Sequence, residues 1–221
     1  MQVAAVGSLL APLQRALSRL LQAAVAALFA YGVATANAPV AVNAGLALAV
    51  TFLPGVLRRD LGLPLDPGLT LLLTAAVFLH ALGMVGPYET VPWWDHMTHT
   101  LSAVVVASAG YVVTRAVDEH APAFDVPDEA YPAYLVGFTL AAGLVWELAE
   151  LAIHAGSDYL GVDAVLVPYG LEDALWDLAF DALGALIVAA FGRRRLRPLV
   201  DALRERLDAR SPFRTEDGAD D

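Results

Sequence analysis

The sequence contains no cysteine and no lysine, and only 17% of its 221 residues are charged. Without cysteine, the chain can form no disulfide, no thiolate metal site and no cysteine nucleophile. All thirteen basic residues are arginines, and 24 acidic residues outnumber them, which gives a formal net charge of −11. Such an acidic chain lacks the cationic surface that binds phosphates, which argues against a nucleic-acid partner.

Apolar residues make up 58% of the chain, and its mean hydropathy is +0.59. They fall in blocks of about twenty residues, the length that crosses the hydrocarbon of a bilayer. We therefore predict an all-α polytopic membrane helix bundle with about six transmembrane helices. The predicted spans are 18–36, 38–57, 68–86, 96–115, 132–155 and 174–191. A five-span alternative merges or demotes the weakest segment, which on the sequence is the first.

The arginines set the predicted orientation, because cytoplasmic segments next to membrane spans are enriched in arginine and lysine. With six spans, every arginine falls on the same side of the membrane. The connections on the other side, around 37, 87–95 and 156–172, contain no basic residue. We therefore predict a protein of the plasma membrane (the cell inner membrane), with both termini in the cytoplasm.

Three regions are predicted along the chain. Residues 1–192 form a single transmembrane helical domain, and residues 193–210 form a cytoplasmic amphipathic helix on the membrane surface. Residues 211–221 form a disordered acidic tail. The amphipathic prediction depends on apolar residues at helical spacing among the charges, namely Leu196, Leu199, Val200, Leu203 and Leu207. A solvated, arginine-rich tail is the alternative for 193–210.

Ionisable side chains recur in the outer halves of the last three predicted spans. Within each span they share one helix face, at spacings of three, four, seven or eight residues. The three sets are Asp95 with His99, Glu147 with Glu150 and His154, and Asp173 with Asp177 and Asp181. The predicted orientation places Glu147 and Asp181 about two turns below the outer surface. The same reasoning places His99, Glu150 and Asp177 about one turn below it.

These carboxylates are costly in a membrane. An aspartate near the bilayer centre costs roughly 2.5–3.5 kcal/mol on insertion scales. Two ionised carboxylates about 6 Å apart repel each other by roughly 3 kcal/mol at an effective dielectric constant near 20. No arginine lies between Arg59 and Arg115, or between Arg115 and Arg193, to offset them. The cluster therefore needs a bound cation, protonated carboxyls or an open aqueous cavity.

We predict a divalent metal at this cluster, with ligands drawn from His99, Glu147, Glu150, Asp177 and Asp181. Mixed carboxylate and imidazole donors favour Zn²⁺, Mn²⁺ or Fe²⁺, whereas carboxylates alone favour Mg²⁺ or Ca²⁺. Five further residues are peripheral candidates: His80, Asp95, His96, His154 and Asp173. Each of these also has an ordinary structural explanation, such as a hydrogen bond between helices or a helix cap.

These residues are compatible with three functions. The metal site could activate water for hydrolysis at the outer membrane face, with Glu147 or Glu150 as general base. The substrate would then be a lipid, a peptide or an envelope precursor. The same carboxylates could instead carry cations or protons as part of a transporter, or hold a structural ion without catalysis. The inner halves of the spans offer few polar residues for a conduction path, which favours a one-sided site. The oligomeric state stays open, and the lipid bilayer is the one predicted partner.

Three motifs taken in order resemble the YjdF-like family of prokaryotic inner-membrane proteins. They are WDHMTH at 94–99, WELAEL at 146–151 and DALWDLAFDALGA at 173–185. The resemblance covers predicted spans 3 to 6 and implies a multi-pass inner-membrane fold, with no established reaction or substrate. A weaker similarity links the chain to VanZ-like membrane proteins. The VanZ-like proteins share an Asp-Lys-x-x-His element and a later asparagine. In this chain, His96 stands at the position of the lysine and Ala182 at that of the asparagine.

Overall fold

A computed structural model describes the backbone of residues 2–121, 126–166 and 168–210, with side chains described between residues 10 and 209 of these ranges. The described part is all-helical and contains no strand. Its α-helices are α1 (Gln2–Ala34), α2 (Ala38–Thr51), α3 (Leu53–Leu61), α4 (Pro67–Gly83), α5 (Pro87–Thr90), α6 (Trp94–His120), α7 (Tyr131–Leu160) and α8 (Leu171–Arg210). A single 3₁₀ turn at Asp128–Ala130 leads into α7. The all-α helix-bundle prediction is confirmed.

Five segments of the described chain are helical, long and apolar enough to cross a membrane. They are Leu10–Ala34, Ala38–Leu61, Trp94–His120, Asp128–Leu160 and Leu171–Ala209. Each overlaps one of the predicted spans. Large apolar side chains such as Leu148, Leu151 and Phe191 are exposed on these helices, as expected for surfaces that face lipid.

The remaining predicted span, 68–86, corresponds to α4, which is apolar but shorter. Its 17 residues give a length of about 26 Å, less than the ~30 Å of a typical hydrocarbon core. Pro87 and Gly86, which has a φ of 139°, follow this helix and end its extension. In the five-span alternative, the segment that falls short is therefore the third, and not the first.

The first two spans form a tight hairpin. Asn37 caps α2, because its side-chain oxygen accepts a hydrogen bond from the Val40 backbone N–H at 3.1 Å. The α2 helix is interrupted at Phe52, and Pro54 lies in the first turn of α3. Together α1, α2 and α4 enclose a small apolar core around Val25, Ala44 and Ala81.

Helices α6 and α8 form the most extensive helix pair of the bundle, and α7 packs against both of them. Gly184 makes the close approach of α6 and α8 feasible. A Cβ atom at Gly184 would lie 2.6 Å from Ala103 Cβ and 2.7 Å from the Thr100 carbonyl oxygen. The consequence for function is that residues on the facing surfaces of α6 and α8 are held at short, defined distances.

Residues 193–210 are helical, but they continue α8 without a break. Their apolar residues Leu196, Leu199 and Val200 are buried in a core shared with Leu63 and Tyr111. The amphipathic face of this segment therefore packs on protein, because the α3–α4 connection and α6 supply an apolar surface for it. The predicted disordered tail, 211–221, lies outside the described residues.

Ion pairs connect the arginines at this end of the bundle. Glu119 accepts hydrogen bonds from Arg115 Nε at 2.8 Å and from Arg197 Nη1 at 2.6 Å. Asp66, which caps α4, also pairs with Arg195 at 2.8 Å. We call this the arginine end. The acidic and histidine residues of the predicted site lie towards the opposite end, because α6 starts there and α7 finishes there.

Candidate intramembrane metal site

His99 lies at the centre of three aspartates. Its Nε2 atom is 3.7 Å from Asp95 Oδ1 and 3.7 Å from Asp177 Oδ1. On the other side of the ring, Nδ1 is 3.4 Å from Asp181 Oδ1. Asp95 and His99 share a face of α6 at i,i+4, and Asp177 and Asp181 share a face of α8 at the same spacing. The predicted convergence of α6 and α8 residues is therefore present in the structure.

Glycines and small residues place these side chains. The close contact at Gly184 brings α8 onto α6 within one turn of Asp181. Gly143 of α7 leaves the space that Asp181 occupies, because a Cβ atom at Gly143 would collide with Asp181 Oδ2. The Thr100 hydroxyl donates to the Phe180 carbonyl at 3.4 Å and adds a polar contact between α6 and α8.

The aspartates have little compensating charge. Asp177 and Asp181 are 3% and 6% exposed, and within residues 2–121, 126–166 and 168–210 their ion pairs are with His99 alone. Arg115, the first arginine after His99 on α6, lies sixteen residues from His99, or about 24 Å along the helix. Asp177 Oδ1 is buried and has no hydrogen-bond partner among the described residues. A buried carboxylate oxygen without a partner is costly, and a cation, a proton or a water molecule would offset this cost.

The donor set fits a divalent cation. Asp95, His99 and Asp177 can each offer one ligand atom, and the three atoms lie within 4.8 Å of one another. Ligands at ~2.0 Å in a tetrahedral site lie about 3.3 Å apart. The two 3.7 Å separations around Nε2 therefore need only small side-chain movements to reach a bonding arrangement.

Asp181 has a different position from the other two aspartates. Asp181 faces the Nδ1 atom of His99. Asp95 and Asp177 face the Nε2 atom, which is the possible metal ligand. An ionised carboxylate can only accept, so the neutral tautomer of His99 that donates Nδ1–H to Asp181 would keep the Nε2 lone pair free for a cation. Carboxylates placed in this way orient metal-binding histidines in many proteins. The structure thus brings Asp181 to the site, but outside the three-ligand group.

The two predicted glutamates lie on α7, half-buried, while their neighbours Leu148 and Leu151 are exposed. Neither Glu147 nor Glu150 belongs to the group of three ligand atoms. Their role as metal ligands or as general base stays a prediction. Asp95, which the sequence places among the peripheral candidates, is a member of the group instead. Its i,i+4 spacing to His99 is the sequence signal for this role.

The remaining peripheral candidates have contacts of their own. His96 stacks on Phe180 with ring centroids 4.4 Å apart, and His154 Nε2 is 3.7 Å from Asp158 Oδ2. Asp173 is half-buried, one turn before Asp177 on α8. None of these residues belongs to the three-ligand group.

His80 takes part in a hydrogen-bond chain between helices, in line with the structural alternative given for it from the sequence. Its Nδ1 is 2.8 Å from the Tyr88 hydroxyl, which donates to Thr98 Oγ1 at 3.3 Å. Thr98 in turn donates to the Asp95 carbonyl at 2.8 Å. Burial raises the pKa of the Tyr88 phenol well above its usual value, so the hydroxyl remains protonated and can donate. The chain connects α4, α5 and the first turn of α6 directly beneath Asp95.

A cleft of about 460 Å³ adjoins the site. His80, His99, Asp181 and Trp146 line the end of the cleft that is remote from the arginine end, which we call its outer end. Mainly apolar residues line the remainder, and the part nearer the arginine end, which we call the inner lining, includes Val50, Leu73, Val106 and Thr139. The cleft is bordered by α2, α4, α6 and α7, and α8 contributes Asp181 to it.

The fold and this site define a class: multi-pass helical membrane proteins with a buried carboxylate–histidine cluster. Residues 16–198, most of the chain, match the family described as "Predicted membrane protein (DUF2238)", and the chain belongs to that family. It is similar to an uncharacterized protein of Thermotoga maritima, with 30% identity over 135 residues. That match covers 57% of this chain and 62% of the Thermotoga protein. No solved structure matches the chain significantly.

Proposed function

We propose that this protein binds one divalent cation within the membrane through Asp95, His99 Nε2 and Asp177. The observation that carries the proposal is the buried Asp177 Oδ1, which has no hydrogen-bond partner in the described chain and lies 3.7 Å from His99 Nε2. A cation would balance the aspartates without any arginine. The imidazole–carboxylate donor set favours Zn²⁺ or Mn²⁺, and Mg²⁺ is the alternative if water supplies further ligands.

We propose further that the site serves hydrolysis of a lipid or envelope precursor at the outer membrane face. Three protein ligands leave a coordination position open, as in catalytic metal sites. A bound divalent cation supplies Lewis acidity there. Hydrolysis adds the oxygen of water to the acyl carbon or phosphorus and delivers a proton to the leaving oxygen. Glu147 or Glu150, half-buried on α7, would accept and return that proton.

The apolar inner lining of the cleft supports a one-sided site over a transporter. A conduction path needs polar groups throughout, and a structural ion would not need an adjoining cleft. We also propose that the protein lies in the plasma membrane with both termini in the cytoplasm. We propose as well that it is related to the YjdF-like proteins.

The metal content of purified protein tests the cation proposal. After separate exposure to Zn²⁺, Mn²⁺ or Mg²⁺ and desalting, wild-type protein should retain about one ion per chain for one of them. Asp177→Asn should retain at least tenfold less, because a neutral amide is a much poorer ligand. Asp173→Asn, one turn away on α8, is the matched control and should behave as wild type. Inductively coupled plasma mass spectrometry gives the ratio.

Wild-type protein without any retained ion, or equal retention by Asp177→Asn, would contradict the proposal. Glu147→Gln and Glu150→Gln separate the two roles of the glutamates, since loss of a general base leaves metal content unchanged. Release of fatty acid or a phosphate head group from phosphatidylglycerol vesicles by wild type, and none by Asp177→Asn, tests the hydrolytic step.

A further inference from the structure

The cleft beside the metal site has the features of a lipid-chain site. Four helices line it over intervals of seven or eight residues, namely Asn43 to Val50, Leu73 to His80, Thr98 to Val106 and Thr139 to Trp146, and α8 contributes Asp181. Seven residues of α-helix span about 10.5 Å, so the cleft runs about that far along the bundle. It starts at the level of His99 and runs towards the arginine end. Its volume of about 460 Å³ lies within the ~300–1,000 Å³ typical of small-molecule sites.

The cleft is open at its side. Leu46, Ser102 and Trp146 line it and are also exposed on the surface of the bundle. Leu46 and Ser102 belong to the spans α2 and α6, so the opening faces the bilayer interior. Hydrocarbon, rather than water, is the medium at this opening. An alkyl chain can therefore enter sideways without crossing a polar surface.

Polarity changes along the cleft in the way an amphiphile requires. The outer end carries His99 and Asp181, next to the three-ligand group, whereas Val50, Leu73 and Val106 line the inner end. Thr139 is the polar residue at the inner end; its buried hydroxyl has no hydrogen-bond partner among the described residues, and a change of rotamer would bring it to a carbonyl of its own helix. Asp181 also lines this end, so an anionic oxygen there requires a cation held by Asp95, His99 and Asp177 to offset the carboxylate charge.

The outer end is also covered. The Asn43 side-chain amide donates to the Val165 carbonyl at 2.7 Å, which ties the α7–α8 connection to α2. Leu166, next to Val165, is buried. Val165 therefore lies beside Asn43 at the outer end of the cleft, and we expect the lateral opening to be the route for a membrane lipid.

We propose that the cleft holds one acyl chain of an anionic glycerophospholipid and presents its phosphate head group to the metal site. The second chain stays in the bilayer outside the lateral opening. This inference rests on the proposed function, because the head group is held by the cation. It names the substrate class of the site as a phospholipid taken directly from the membrane.

Photocrosslinking in vesicles tests this inference. The protein is reconstituted in phosphatidylcholine vesicles that contain phosphatidylglycerol with a diazirine in one acyl chain. Labelled peptides are mapped by mass spectrometry after illumination. Wild-type protein should be labelled at the inner lining of the cleft, around Val50 and Val106. The metal content of each sample is measured in parallel.

Two neighbouring alanines of α7 supply matched variants. Ala142 lines the cleft and Ala141 is exposed outside it, so Ala142→Phe should reduce cleft labelling at least fivefold and Ala141→Phe less than twofold. Val106→Phe fills the cleft from α6 and should reproduce the loss. Unchanged metal content in these variants shows that the site remains folded.

Equal labelling of Ala142→Phe and Ala141→Phe, or labelling confined to the outer surface of the bundle, overturns the lipid-chain inference. If metal is retained in that case, the cation proposal stands. If wild type binds no metal but is labelled in the cleft, the cation proposal fails and the cleft still holds the chain.

Discussion

Individual side chains have distinct roles within the site. Asp177 and Asp181 look equivalent along α8, since both are buried aspartates on one face. Their positions around His99 differ, because Asp177 lies at Nε2 and Asp181 at Nδ1. The first can share a cation with the imidazole, and the second can orient the ring and select its tautomer.

Replacing Asp181 should therefore weaken the site without removing it. Asp181→Asn should lower metal affinity by about 10–100-fold, the usual effect of losing a carboxylate that orients a ligand histidine. His99→Ala should abolish binding, since it removes a ligand. Isothermal titration calorimetry with the ion retained by wild type gives both affinities. Equal and complete loss in the two variants would show that Asp181 is itself a ligand.

At the scale of elements, the contact between α6 and α8 builds the site. Asp95 and His99 come from one of these helices and Asp177 and Asp181 from the other. The distance between the two sets depends on Gly184 of α8, which lies in close contact with Ala103 and Thr100 of α6. A methyl group there would push α8 away from α6.

Gly184→Ala should lower the stability of the protein by about 1–3 kcal/mol through overpacking. Gly137→Ala is the control, because no atom lies within 4 Å of the added Cβ on α7. The control should leave stability unchanged or raise it by up to ~1 kcal/mol, since alanine favours the helix. Thermal unfolding of detergent-solubilised protein, followed by circular dichroism, compares them. Equal Tm values would mean that the α6–α8 contact tolerates the methyl group.

The whole molecule has two chemically different ends. One end carries the arginines, paired with Asp66, Glu119 and Asp128, and the other half carries the His99 cluster. Arginines concentrate on the cytoplasmic side of membrane proteins. We therefore expect the cluster to lie in the outer half of the membrane.

The cysteine-free chain allows a direct test of this orientation. Asp163→Cys, exposed in the α7–α8 connection, should react with an impermeant maleimide on intact cells. Glu205→Cys, exposed on the α8 extension, should react only after permeabilisation. The reversed pattern would place both termini outside and the cluster in the cytoplasmic half.

The positions of the helices follow from the sequence, because apolar blocks of about twenty residues have the length that crosses the hydrocarbon of a bilayer. The predicted spans at 96–115, 132–155 and 174–191 lie within α6, α7 and α8. The length of α4 was less predictable. Apolar composition continues beyond Gly83, while backbone turns at Gly83–Gly86 end the helix.

For the site, the faces of α6 and α8 that carry acid and imidazole can be assigned from the amino-acid order, because spacing along a helix sets the face. How those faces meet depends on the packing of the helices. The rotation of each helix about its axis and the close contact at Gly184 bring Asp95 to Nε2 and Asp181 to Nδ1. These depend on packing between residues about 80 positions apart, which no local pattern encodes. The same packing placed the apolar face of 193–210 against protein and opened the cleft beside His99.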